Sequence, residues 1–115
     1  MPGMSIHCVD ASRGFAAQGL EVEVFAVSPE RCLLASGRIT GRGLLDAAAI
    51  AERLDSGEYE VLFHVAEYYR ASATPLPALP FLEIACFRFG IDEPDQHYHL
   101  PFKFTPFGYS LFRGM

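Results

Sequence analysis

Residues 20–26 read Leu-Glu-Val-Glu-Val-Phe-Ala, and this stretch is the strongest indicator of the fold class. Apolar side chains at the even positions alternate with Glu21, Glu23 and Phe25 at the odd ones. A period of two is typical of a β-strand that buries one face and exposes the other to solvent. The stretch therefore predicts a strand in a sheet that covers a hydrophobic core.

Further short segments of strand character flank this one. Strands are predicted at residues 5–10, 32–37, 59–64, 81–90, 97–104 and 109–112. Clusters of Gly, Pro, Ser and Asp between them predict turns. The run Phe81–Gly90 is rich in Phe, Leu and Ile and is predicted to be covered on both faces. Many short strands with this spacing favour a β-sandwich or barrel.

Two segments depart from the strand pattern. Local propensity predicts about two helical turns over Asp46–Leu54, with Asp46 as the N-cap. Val65–Ala71 is predicted to be a second short helix, and the Pro-rich stretch after it an extended connection.

Length and composition exclude several classes of protein. A chain of 115 residues, half of them hydrophobic, predicts a single domain over residues 1–115. A net charge of −5 with only nine Lys and Arg argues against nucleic-acid binding. No apolar run reaches the roughly 18 to 20 residues that a membrane span needs, so we expect no membrane association. The absence of an export signal predicts a cytoplasmic protein.

The three cysteines form an odd set without a CxxC pair. Such a set favours reduced thiols over a disulfide framework. Cys8, Cys32 and Cys86 are all predicted to be core thiols.

His97 and His99 are the first candidates for chemistry. In a strand, side chains at i and i+2 face the same way, so these two imidazoles are predicted to be neighbours. With His7 they form a possible zinc site, but no Cys, Asp or Glu adjoins the pair His97 and His99 in a ligand pattern. Hydrogen-bonded strand histidines are the alternative, and we predict no metal and no organic cofactor.

Three motifs stand out in the C-terminal third: residues 96–101 read QHYHLP, residues 105–110 read TPFGYS, and residues 112–114 read FRG. Together they resemble the C-terminal signature of the transthyretin-like 5-hydroxyisourate hydrolases. Members of that family commonly read QHYHVPL and then SPYGYSTYRGS at the end of the chain. Upstream, residues 7–10 (HCVD) are similar to the family's HVLD, and Gly41-Arg42 to its DGR turn.

This resemblance implies a mainly β fold, a transthyretin-like two-sheet antiparallel β-sandwich with one short helix. It also implies a homo-oligomer, a tetramer with active sites at a subunit interface, that acts on a small-molecule substrate. The activity implied is hydrolysis of 5-hydroxyisourate, the opening of a cyclic amide in urate breakdown.

The resemblance assigns catalytic roles to His7, Arg42 and His99. Ring opening needs a base that takes a proton from water and a group that stabilises charge on the carbonyl oxygen. His99, paired with His7, is predicted to activate water, and Arg42 to bind and polarise the substrate. The remaining predicted substrate contacts are Arg113, Met115 and His97.

Two positions depart from the family pattern. Phe112 stands where the family has Tyr, and Met115 stands where it has a terminal Ser. A thioether cannot donate the hydrogen bond that a hydroxyl donates. Two alternatives therefore stay open: a related hydrolase that acts on another small heterocycle, and a transthyretin-like protein that binds a small molecule without chemistry.

Overall fold

The computed structural model describes residues 2–114, and they form two four-stranded β-sheets with two short helices. The strands are β1 (Gly3–Asp10), β2 (Phe15–Ala16), β3 (Glu21–Ala26), β4 (Cys32–Arg38), β5 (Gly57–Phe63), β6 (Ala85–Ile91), β7 (His97–Thr105) and β8 (Gly108–Leu111). The helices are α1 (Ala48–Ala51) and α2 (Val65–Ala71). The predicted mainly β sandwich is confirmed.

The first sheet has the strand order β2-β1-β7-β8, and the second has the order β4-β3-β5-β6. Every pairing is antiparallel except β1 with β7, which run parallel. The predicted antiparallel sandwich thus contains one parallel pair among the described strands. Its register places Ser5 opposite His99 and His7 opposite Pro101.

The core lies between the inner faces of the two sheets. Val22 and Val24 of β3 are fully buried, as the alternation in residues 20–26 predicts. Phe63 of the second sheet stacks on Phe102 of the first, with 3.8 Å between ring centroids. Asp10 is the one charged residue among residues 2–114 that is buried, at 0 % exposure. Its carboxylate accepts hydrogen bonds from residues of α2, which attaches that helix to the first sheet.

Helix α2 has the predicted bounds, whereas the prediction over Asp46–Leu54 is wrong in length. Only one turn forms, and Ala47 rather than Asp46 occupies the N-cap position. A single turn gains few hydrogen bonds, so packing decides where it forms. Ile50 is buried against the core and holds this turn, while Glu52 is already extended. The fold thus contains the short helix α2 and the single helical turn α1.

The prediction that Phe81–Gly90 is covered on both faces is wrong. The strand is β6, the edge strand of the second sheet, and Phe81 precedes it in a loop with 78 % of its surface exposed. Cys86 and Arg88 point to the solvent face of β6. An edge strand with one packed face needs only alternate apolar residues.

The cysteine prediction is correct only for Cys8, which lies in the core. Cys86 is exposed because it points outward on β6, and Cys32 is exposed because it is the first residue of the edge strand β4. Burial raises the pKa of the Cys8 thiol well above its usual range, so this thiol stays protonated.

Within residues 2–114, neither helix has the length or apolar character to cross a membrane.

Candidate active site

The outer face of the first sheet brings together residues from two strands that are distant in sequence. On β1, Ser5 and His7 point outward while Ile6 between them is buried. On β7, His97 and His99 point to the same outer face. Because β1 and β7 are paired, all four side chains share one surface of the sheet.

The Ser5 hydroxyl lies between the two histidines of β7. Its Oγ is 2.8 Å from His97 Nε2 and 2.7 Å from His99 Nδ1. The other ring nitrogen of His97, Nδ1, is 3.3 Å from the carbonyl oxygen of Pro2. Sequence reasoning missed Ser5, although its position two residues before His7 on a predicted strand indicates a shared face.

His7 lies against the turn that bears Arg42. Leu44, at the end of this turn, forms an antiparallel bridge with His7, and the amide of Cys8 donates to the carbonyl of Gly43 at 2.8 Å. Gly43 has a φ of 85°, and a Cβ at this position would lie 2.6 Å from His7 Nε2. The turn and the imidazole are therefore in direct contact, and only glycine fits between them.

The end of the chain packs on His99 in a similar way. The amide of Gly114 donates to the carbonyl of His99 at 2.7 Å, and the two residues form a β-bridge. A Cβ at Gly114 would lie 2.7 Å from His99 Cδ2. Met115, predicted to contact substrate, lies outside the described residues.

The pKa of His99 is lowered from its ordinary value of 6.5. Burial of the imidazole is the largest cause, and the nearby His7 and His97 add to it, because a proton on either disfavours one on His99. His99 is therefore neutral near pH 7 and holds one nitrogen lone pair that can accept a proton.

The two arginines lie in different places. Arg42 is exposed on the turn beside His7, and its guanidinium has no acidic partner within 4.0 Å among the described residues. Arg113 lies over the ring of Tyr98 at 4.0 Å and donates to Gln96 and the carbonyl of His97. Tyr98 points to the opposite face of β7 from the histidines. The structure thus places the turn that bears Arg42 against His7 and leaves the Arg113 guanidinium on the other side of the sheet.

No group of three or more His, Cys, Asp and Glu side chains in residues 2–114 has a geometry that could hold a metal ion.

An open cavity of about 510 Å³ lies beside Ser5 and His97, between β1 and α1. Its walls are mostly apolar and do not include His7, Arg42 or His99. In the single chain, His7 and His99 are partly buried and Arg42 is exposed, all three outside this cavity.

A two-sheet sandwich of this topology, with histidines and an arginine-bearing turn on one outer face, defines a transthyretin-like protein with an ionisable surface site. The chain belongs to the HIUase/Transthyretin family, whose model matches residues 4–114. The family resemblance drawn from the C-terminal sequence is thereby confirmed.

Individual relatives agree with this placement. The chain is 35% identical to 5-hydroxyisourate hydrolase 2 of Rhizobium meliloti (strain 1021), over 96% of this chain and 94% of that protein. The structure of Klebsiella pneumoniae 5-hydroxyisourate hydrolase is similar with a TM-score of 0.79 and 27% identity, and both chains are covered completely. The crystal structure of (S)-allantoin synthase gives a TM-score of 0.90 at 30% identity, over 98% of this chain but only 43% of that one.

Proposed function

We propose that this protein hydrolyses 5-hydroxyisourate, opening its ring at a cyclic amide bond. The observation that carries the proposal is the outer face of β1 and β7, where a neutral His99 lies near His7 and the Arg42 turn. The relatives that match nearly the whole chain are hydrolases of this substrate. The activity belongs to purine breakdown, and we place it in the cytoplasm.

The proposed mechanism needs only protein groups. His99 takes a proton from water, and the resulting hydroxide attacks the carbonyl carbon of the ring. Negative charge then develops on the carbonyl oxygen, where the permanently charged guanidinium of Arg42 stabilises it. The C–N bond breaks, and the protonated His99 returns its proton to the leaving nitrogen.

The direct test follows the ultraviolet absorbance of freshly generated 5-hydroxyisourate with and without the protein. We expect the protein to accelerate the decay in proportion to its concentration. A decay equal to the spontaneous one would contradict the proposal. It would favour the alternatives of a different heterocyclic substrate or of binding without chemistry.

We further propose a homotetramer. The C-terminal edge of the first sheet exposes large apolar side chains, with Phe107 at 73 %, Tyr109 at 43 % and Phe112 at 53 %. Exposed apolar groups grouped on one edge are typical of a subunit contact. Sedimentation equilibrium should report about four subunits, and a monomer at micromolar concentration would exclude a site shared between subunits.

Gly43→Ala should reduce activity by more than its effect on folding explains. An added methyl group would displace the His7 imidazole, and a φ of 85° also costs about 1 kcal/mol for a non-glycine residue. Gly14→Ala is the matched control, because Gly14 has a φ of 81° with nothing within 4 Å of the added Cβ. Both variants should unfold at similarly lower urea concentrations.

Only Gly43→Ala should lower kcat/KM, by roughly tenfold or more, as expected for a catalytic group moved by about 1 Å. Equal activity in the two variants would show that contact between the turn and His7 is unimportant for the reaction.

The pH dependence follows from the lowered pKa of His99. A general base must be neutral, so activity is lost when His99 becomes protonated. Because the pKa lies below 6.5, the loss of kcat/KM on acidification should have its midpoint below pH 6.5. Circular dichroism over the same range checks that the fold persists. An acid limb centred at or above 6.5 would assign the titration to another group.

A further inference from the structure

The Ser5 hydroxyl forms hydrogen bonds to two histidines but has no role in the proposed mechanism. Its single hydroxyl group contacts two imidazole nitrogens, His97 Nε2 at 2.8 Å and His99 Nδ1 at 2.7 Å. A hydroxyl has one proton to donate and lone pairs to accept. It can therefore donate to at most one nitrogen of this pair, and it must accept from any nitrogen to which it does not donate.

The carbonyl of Pro2 determines which way the bonds run. It lies 3.3 Å from His97 Nδ1 and can only accept, so Nδ1 of His97 carries the hydrogen. A neutral imidazole carries one hydrogen only, so His97 Nε2 is an acceptor. The Ser5 hydroxyl consequently donates to His97 Nε2.

The orientation of Ser5 then determines the state of His99. Since the one hydroxyl proton points to His97, the Ser5 oxygen accepts from His99, and Nδ1 of His99 carries its hydrogen. The reverse direction would require a bare Nδ1 lone pair on His97 to face the Pro2 carbonyl oxygen, an unfavourable contact between two acceptors. His99 Nε2 is left unprotonated, with its lone pair available.

We infer that Ser5 is a positioning residue that, with His97 and the Pro2 carbonyl, holds His99 in the Nδ1–H tautomer and so leaves Nε2 free to accept a proton. This inference rests on the proposed function for its catalytic meaning. A free histidine side chain prefers the opposite tautomer, with the hydrogen on Nε2. Without Ser5, most of the neutral His99 would therefore present a donor where the reaction needs an acceptor.

The same chain of hydrogen bonds suits the proton-transfer step. When an O–H bond of water breaks and its proton moves to His99 Nε2, the imidazolium keeps donating from Nδ1 to Ser5. The other bonds of the chain keep their direction, so no group has to reorient during the reaction. A partner on the second nitrogen that selects the tautomer plays the part that a carboxylate plays in serine-protease triads.

The test compares Ser5→Thr with Ser5→Val, two side chains of nearly equal shape that differ in the hydroxyl. Protein labelled with ¹⁵N in its histidine rings is studied by NMR at a pH where the rings are neutral, because nitrogen shifts distinguish protonated from unprotonated positions. The signals of His99 are identified by their loss in His99→Gln. We expect Nδ1–H for His99 in the original protein and in Ser5→Thr, and a shift toward Nε2–H in Ser5→Val.

Kinetics supplies the second readout. Ser5→Val should lower kcat about tenfold with little change in KM, because the rate follows the fraction of His99 in the competent tautomer. Ser5→Thr should restore most of the loss. A change in KM alone, with kcat retained, would indicate a role for Ser5 in substrate contact and would overturn the inference.

Failure of this inference and failure of the proposed function are distinguishable. If His99 carries its hydrogen on Nε2 in the original protein, or if Ser5→Val leaves its tautomer unchanged, the inference is wrong whatever the activity. If the tautomers behave as expected but 5-hydroxyisourate decays at its spontaneous rate, the positioning role is supported and the assigned substrate is wrong.

Discussion

His99→Ala and Arg42→Ala should each lower kcat/KM by about 100-fold or more, which corresponds to roughly 2.7 kcal/mol of transition-state stabilisation. His99→Ala removes the group that takes the proton from water. Arg42→Ala removes the positive charge that stabilises the carbonyl oxygen as it becomes negative. Both groups stabilise the same transition state, that of the attack of water on the carbonyl, so the double variant should fall short of the product of the single effects.

The chain offers matched controls for both variants. His64, between β5 and α2, is partly buried and hydrogen-bonded to Glu23 at 2.7 Å, and Arg88 of β6 pairs with Glu60 at 3.2 Å. His64→Ala and Arg88→Ala remove the same side-chain types away from the proposed site and should keep kcat/KM within about twofold. Full activity in a folded His99→Ala or Arg42→Ala would refute the assigned roles.

The largest expected effect on stability is that of Asp10→Ala. The buried carboxylate of Asp10 accepts from Tyr68 Oη at 3.0 Å, Tyr69 Oη at 2.8 Å and Ser12 Oγ at 2.6 Å. Burial, followed by the Asp10 charge, raises the pKa of Tyr68 to about 12, so this phenol stays protonated and donates. Removing the carboxylate leaves buried hydroxyls without their acceptor.

We expect Asp10→Ala to lower the free energy of unfolding by about 3 kcal/mol or more, because each unsatisfied buried group costs roughly 1 to 3 kcal/mol. Urea unfolding at one fixed subunit concentration measures the change, since subunit association also contributes to stability. Glu83→Ala removes an exposed carboxylate that pairs with Arg70 and should leave the midpoint nearly unchanged. Equal midpoints for the two variants would show that the buried network contributes little.

Much of the local structure follows from side-chain patterns in the sequence. The alternation over residues 20–26 places β3 within one residue, and Val65–Ala71 is helical over the predicted range. The spacing of His97 and His99 correctly indicates a shared outward face. These features depend on the period of one strand or helix, so a short stretch of sequence contains enough information to predict them.

Patterns failed where exposure depends on the position of a strand within its sheet. The apolar run before β6 does not reveal that this strand forms an edge, so Phe81 and Cys86 are exposed against expectation. Asp46 has the chemistry of an N-cap, yet the helix begins after Ala47 because burial of Ile50 decides where the turn forms. In each case, neighbours that are remote in sequence outweigh local preference.

By itself, the sequence determined a β-rich chain, the family to which it belongs, and a candidate set of His7, Arg42 and His99. Only the tertiary structure decided how these groups meet. The parallel register of β1 and β7 places Ser5 between His97 and His99, and the same fold directs the Arg113 guanidinium to the opposite face. The physical reason is that alternation specifies which face a side chain occupies within its own strand. Strand pairing, set by packing of the whole core, specifies which side chains from different strands come within hydrogen-bonding distance.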